Sequence, residues 1–224
     1  MTPADALDQL RAAGDPARAV GAAAYHKAPR VYLGVTVPVI TEMAKGWRDT
    51  LDVEARVALA AALWASDIHE AKVAAAKLLT QARLRPDDAA WALIASWAPG
   101  FDGWATADQA CDAGGRRLVA DPGRIDEVET WTTHPNMWTR RAALVITLPW
   151  TKLAFPKPED EAIRTRVLGW AAAYVADRDW FIQKAVAWWL RDLSKHAPDR
   201  TAAFLAAHGH AMKPFARKEA GKYL

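Results

Sequence analysis

Apolar residues recur at i, i+3, i+4 and i+7 along almost all of this 224-residue chain, and that period commits it to amphipathic helices. The pattern predicts helices over 4–13, 16–28, 37–48, 53–65, 68–83, 87–97, 103–119, 124–132, 136–149, 159–176, 180–195, 199–208 and 214–222. Their starts carry helix-capping chemistry at Asp15-Pro16, Asp52, Asp67, Asp87 and Pro198-Asp199. Alanine is abundant and runs of β-branched residues are nearly absent, which favours helix over strand at the level of propensity. The connections are short. The widest break, residues 149–158, is rich in proline and reads as a corner, so the whole of 1–224 is expected to form a single domain.

Many helices of 10–17 residues joined by short turns make either a bundle or a stack of helix pairs. The spacing favours the stack. The segments DIHEAKVAAAKLL from Asp67, GFDGWATADQAC from Gly100, HPNMWTRRAALVITL from His134 and DRDWFIQKAVAWWL from Asp177 each open a helix after a polar turn. Aligned on Glu70, Trp104, Trp138 and Phe181, they step by 34, 34 and 43 residues. Those steps fit repeats of TPR to HEAT size. The expected fold is therefore all-α, a curved α-solenoid of stacked HEAT-like helix pairs. In such a stack the second helix of each pair lines one surface, so the starts of helices 103–119, 136–149 and 180–195 should converge on a common groove.

Several functions are disfavoured directly. One cysteine, Cys111, permits no internal disulfide and no multi-cysteine metal site, and with no histidine near it in sequence it reads as a small core residue. The six histidines lack ligand spacing, His208-Gly209-His210 being the nearest approach; no metal and no cofactor are expected. HExxH, GxSxG, Walker and GxGxxG motifs are absent. The first fifteen residues carry two early acids and no apolar run, and no stretch nears the ~18 apolar residues of a membrane span. A cytoplasmic protein is the expectation.

Charge and tryptophan point toward a partner. Residues 1–112 hold 11 basic and 14 acidic side chains, whereas residues 113–224 hold 18 basic and 12 acidic. A basic half suggests a polyanion. The basic pair Arg116-Arg117 and the run from Lys213 through Arg217 and Lys218 to Lys222 are candidate phosphate contacts. Twelve tryptophans exceed what core filling needs. On the predicted inner helices, Trp104 and Asp108 share one face, as do Trp138 and Arg141, while Lys184, Trp188 and Arg191 fall at i, i+4 and i+7. Read blandly, these are core tryptophans beside solvated charges. Read chemically, cations bind phosphates, indole faces attract cations, and a carboxylate stabilises a positive centre or positions a water. A cationic base on DNA would engage all three.

At these residues the chain resembles the AlkD-like family of bacterial DNA glycosylases, HEAT-like proteins that excise N3- and N7-alkylated purines. The stretches that carry the resemblance are Tyr25 through Pro38, the Trp104/Asp108 pair, Asn136 to Ala143, Phe181 to Arg191, and Lys213 to Lys222, in order over nearly the whole chain. The resemblance implies a monomer acting on duplex DNA with alkylated bases. It places Trp104 and Trp188 against the deoxyribose, Asp108 as the catalytic carboxylate and Arg141 on a backbone phosphate. Tyr25 would approach the DNA from the N-terminal helices, and Arg140, Lys184 and Arg191 would add cationic contacts. It also implies excision without enclosing the base. Two other readings stand beside it: a DNA-binding protein of the same fold without catalysis, as in branches lacking the tryptophan and carboxylate, and a protein-interaction scaffold.

Overall fold

The computed structural model describes all 224 residues. It contains no strand; the one β-type contact is an isolated parallel bridge between Val31 and Ile68. The helices are α1 (Pro3–Ala12), α2 (Pro16–His26), α3 (Val37–Asp49), α4 (Val53–Ala65), α5 (His69–Leu79), α6 (Asp88–Trp97), α7 (Trp104–Ala120), α8 (Ile125–Trp131), α9 (Met137–Val145), α10 (Leu148–Thr151), α11 (Pro158–Tyr174), α12 (Trp180–Ser194), α13 (Pro198–His208) and α14 (Pro214–Ala220). None is long and apolar enough to cross a membrane. The all-helical class follows from the apolar period, and several helix starts follow from their caps. Asp15 Oδ1 accepts from the amides of Ala17 and Arg18, and Asp52 Oδ1 accepts from Ala55.

The chain divides into two compact units, Met1–Ala120 and Asp121–Leu224. In the first, α5 is the central helix, packed by α3, α4 and α7. Its Ala71, Ala74, Ala75 and Ala76 are wholly buried, and side chains this small let the neighbouring backbones approach. In the second, α12 is central and meets α9, α10, α11, α13 and α14. Its Trp189 is fully buried, and the indole Nε1 donates to Thr147 Oγ1 at 3.2 Å, so the largest core side chain leaves no polar atom unpaired.

Three departures from the periodic reading have a physical cause in the packing or the backbone. The helix expected over 68–83 stops at Leu79, because Arg117 captures the chain beyond it: its guanidinium donates to the carbonyls of Gln81, Ala82 and Leu84. The helix expected over 136–149 breaks into α9 and α10. Pro149 lacks an N–H and its ring would clash one turn back, so it is accommodated only in the first turn of a new helix. Asp67 does not cap α5; it sits in the left-handed region at φ 54° and pairs with Lys72 at 3.5 Å, and Ile68 takes the cap position.

Candidate active site

In the first unit, Trp104 opens α7 and Asp108 lies one turn further on, both half-buried. Tyr25, the last residue but one of α2, is 68% exposed and sets its ring edge-on to the Trp104 indole, with centroids 5.8 Å apart and planes at 88°. Residues 79 positions apart in sequence are thus joined as a perpendicular aromatic pair, a preferred geometry for two rings.

Behind that pair lies a set of residues that the sequence pattern did not single out. His26 contacts the Trp104 ring at 5.3 Å and stacks on His69 at 4.5 Å; His69 in turn stacks on Tyr32 at 4.9 Å. The loop between α2 and α3 is held there at both ends. Glu70, 2% exposed in the first turn of α5, accepts from the amides of Leu33 and Gly34 at 2.9 and 2.7 Å. Arg30, its side chain buried, pairs with Asp102 two residues before Trp104. Gly34 must be glycine: its φ is 78°, and a Cβ would lie 2.2 Å from the Asp15 carbonyl oxygen. Loss of water around His69 pushes its imidazole down to about 4, with the charges of His26 and Arg30 adding to the effect. Burial lowers His26 as well, and Arg30 adds to that, while Glu70 opposes it.

His26, Arg30, Tyr32, His69, Asp102 and Trp104 line a cleft of about 10 Å³, room for about one water molecule. A pocket that encloses a small organic ligand is typically ~300–1,000 Å³. This cleft takes no nucleobase.

In the second unit, Asn136 caps α9 by accepting from Trp138 N at 2.9 Å. Trp138 meets Phe181 of α12 with centroids 4.6 Å apart, so two positions aligned in the repeats come together. Arg140 turns back on its own chain: Nη1 donates to the carbonyls of His134 and Pro135 at 3.0 Å, and Nη2 lies 3.4 Å from Asp177. Arg141 is 4% exposed. Trp188, half-buried, donates its indole N–H to Asp192 at 3.0 Å. Arg191 bridges the same Asp192 at 3.3 Å and Glu219 at 2.6 Å. Lys184 is exposed, with its ammonium 4.7 Å above the Trp180 ring. Arg140 and Arg191 therefore have structural partners, and Lys184 is the cation of this set that faces solvent. The pair Arg116-Arg117 separates likewise. Arg116 is exposed, whereas Arg117 is fully buried, paired with Asp87 at 3.3 Å, and serves the fold. Cys111 is buried at 3% exposure, as a small core residue should be.

Residues 6–224 match the model of a family described as DNA alkylation repair enzyme. Among solved structures, a predicted DNA alkylation repair enzyme from Enterococcus faecalis is similar with a TM-score of 0.79 at 21% identity, covering 94% of this chain and 96% of that one. AlkD2 from Streptococcus mutans is similar with a TM-score of 0.61 at 19% identity, covering 84% and 90%. At these identities the likeness is one of fold. No curated protein matches the sequence.

Proposed function

Because the chain belongs to the DNA alkylation repair enzyme family, we propose that it hydrolyses the N-glycosidic bond of N3- and N7-alkylated purines in duplex DNA. Alkylation at these nitrogens makes the purine a cation and so a good leaving group. The bond then breaks with positive charge developing on the sugar. Asp108 supplies the carboxylate that stabilises that charge and orients the attacking water. Trp104 lays its indole face against the deoxyribose, where the π-cloud favours a developing cation. Tyr25 meets the DNA beside Trp104, and Lys184, in the second unit, offers a solvent-facing cation to a phosphate.

One observation carries this reading: an exposed tyrosine braces a tryptophan whose helix presents a carboxylate one turn away, beside a cleft with room for about one water. Chemistry at such a place acts on a sugar at the surface, without a base pocket. Most enzymes that act on a base in duplex DNA extrude it into a pocket; here bulky adducts are expected to be tolerated.

The test is release of free base from duplex DNA carrying 7-methylguanine or 3-methyladenine, by the wild type and by Asp108→Asn. The wild type should release base. The variant should lose about 100-fold or more while still binding the duplex, as expected when a group that stabilises developing charge is removed. Binding with no release by either protein would instead identify a non-catalytic DNA-binding protein. A wild type that releases methyl adducts and excludes bulky cationic ones would overturn the open-surface reading.

A further inference from the structure

We propose that His26 is a positioning residue for Trp104, held in place by the Arg30–Asp102 pair and by the ring of His69. The proposal rests on Trp104 acting at the substrate sugar, and its test can fail separately from that reading.

Three observations point to it. First, the rings form a continuous, bent row from Trp104 through His26 and His69 to Tyr32, with successive centroids 5.3, 4.5 and 4.9 Å apart and Tyr32 folded back to stack on His26 at 6.0 Å. Tyr32 terminates the row by donating its hydroxyl to the Ala28 carbonyl at 3.0 Å. The orientation of the Trp104 indole is thereby referred back to the loop between α2 and α3. Second, that loop is tied to the start of α7 across 72 residues by Arg30 and Asp102. Asp102 stands two residues before Trp104, so the pair fixes the approach of the backbone that carries the indole. Third, the row is built from polar rings where apolar ones would fill the same space. His26 Nδ1 and the Nε and Nη1 of Arg30 are buried with no hydrogen-bond partner in the protein, all beside the cleft against Trp104. Such groups cost free energy that a purely structural cluster of phenylalanines would not incur. Burial pushes both imidazoles below the ordinary histidine range, which disfavours a charged ring beside Arg30.

Tyr25 packs edge-on against both rings, its centroid 5.8 Å from the Trp104 indole and 5.1 Å from His26. It is exposed and free to meet a ligand, whereas His26 is shielded behind it. His26 therefore acts on chemistry through the rings it touches, Trp104 first and Tyr25 beside it. Removing His26 should lower kcat for base release by about 10- to 100-fold, the upper end being the scale of a reacting group misplaced by about 1 Å, and leave KM within about twofold.

The decisive readout is independent of activity. The whole chain is labelled with 5-fluorotryptophan, and the Trp104 fluorine resonance is assigned from Trp104→Phe. In His26→Ala that resonance should shift or broaden while most of the other tryptophan resonances stay in place. His26→Phe, which restores a ring without its polar atoms, should recover the position and the kcat only in part. Asp102→Asn, which removes the charge but keeps the side chain's shape and an acceptor oxygen for Arg30, should move the same resonance in the same direction by less. Should His26→Ala not fold, Asp102→Asn decides. An unmoved Trp104 resonance in the folded variants would overturn the proposal whether or not base is released. A resonance that moves, in a wild type that releases no base, upholds the positioning and rejects the glycosylase reading.

Discussion

His69 shows how much one side chain's surroundings matter here. It is 9% exposed, packs against the rings of both His26 and Tyr32, and has its imidazole pushed down to about 4. In the unfolded chain the same imidazole is protonated near its ordinary 6.5. Between those two values the unfolded state binds more protons, so stability falls as pH drops through that window and is fully present above it. The slope from this one group reaches about 1 kcal/mol per pH unit. His26, lowered by the same cause, adds in the same direction. Urea unfolding at about pH 7.5 and about pH 5 should therefore show an acid-sensitive stability that His69→Phe reduces. A variant as acid-sensitive as the wild type would remove His69 from this account. At the same scale, spacing along one helix placed Trp104 and Asp108 a turn apart, because i and i+4 are neighbours whatever surrounds them. It could not show that Arg140 and Arg191 have partners inside the chain, since those partners come from turns and helices up to 37 residues away.

At the scale of elements, the two central helices each begin with a buried polar side chain that ties down a segment from elsewhere. On α12, Gln183 donates to the carbonyls of Val175 and Asp177 and accepts from Lys213 N at 2.9 Å. On α5, Glu70 receives two amides of the loop that carries Arg30 and Tyr32. Carboxylate–amide bonds in a buried site are charge-assisted, and removing the acceptor strands two donors. Glu70→Ala is accordingly expected to destabilise the chain by about 2–4 kcal/mol in urea unfolding. Glu70→Gln should recover only part of this, because its NH2 would oppose one backbone N–H. A loss below about 1 kcal/mol would mean that the loop finds other acceptors. The periodic pattern placed α5 and α12 and nearly all their neighbours. It overran where a side chain from elsewhere or a proline decides the end, as Arg117 does after Leu79 and Pro149 does after Val145.

For the whole molecule the unequal charge matters most. Residues 1–120 hold 13 basic and 14 acidic side chains, a balance of −1, and residues 121–224 hold 16 and 12, a balance of +4. If the second unit supplies most phosphate contacts, replacing exposed Lys184 and Lys218 by Gln should weaken binding to undamaged duplex DNA. It should also make the salt dependence shallower, by about one unit of slope for each phosphate that is no longer neutralised. Replacing Arg11 and Arg18 of the first unit should do little. Equal effects from both pairs would contradict a basic face in the second unit.

The helices and their order were legible along the chain, because a 3.6-residue period, capping residues and prolines act within a few positions of where they stand. So was the sharing of one turn of α7 by an indole and a carboxylate. What stands behind that pair came from packing. His26, His69, Arg30, Asp102 and Glu70 have no mutual spacing that marks them as a group; Arg30 and Asp102 are 72 residues apart. They meet because α5 buries its start against the loop between α2 and α3, and α7 packs on α5. Long-range packing brought them together, and desolvation there, which no local pattern encodes, lowered both imidazoles below the ordinary histidine range.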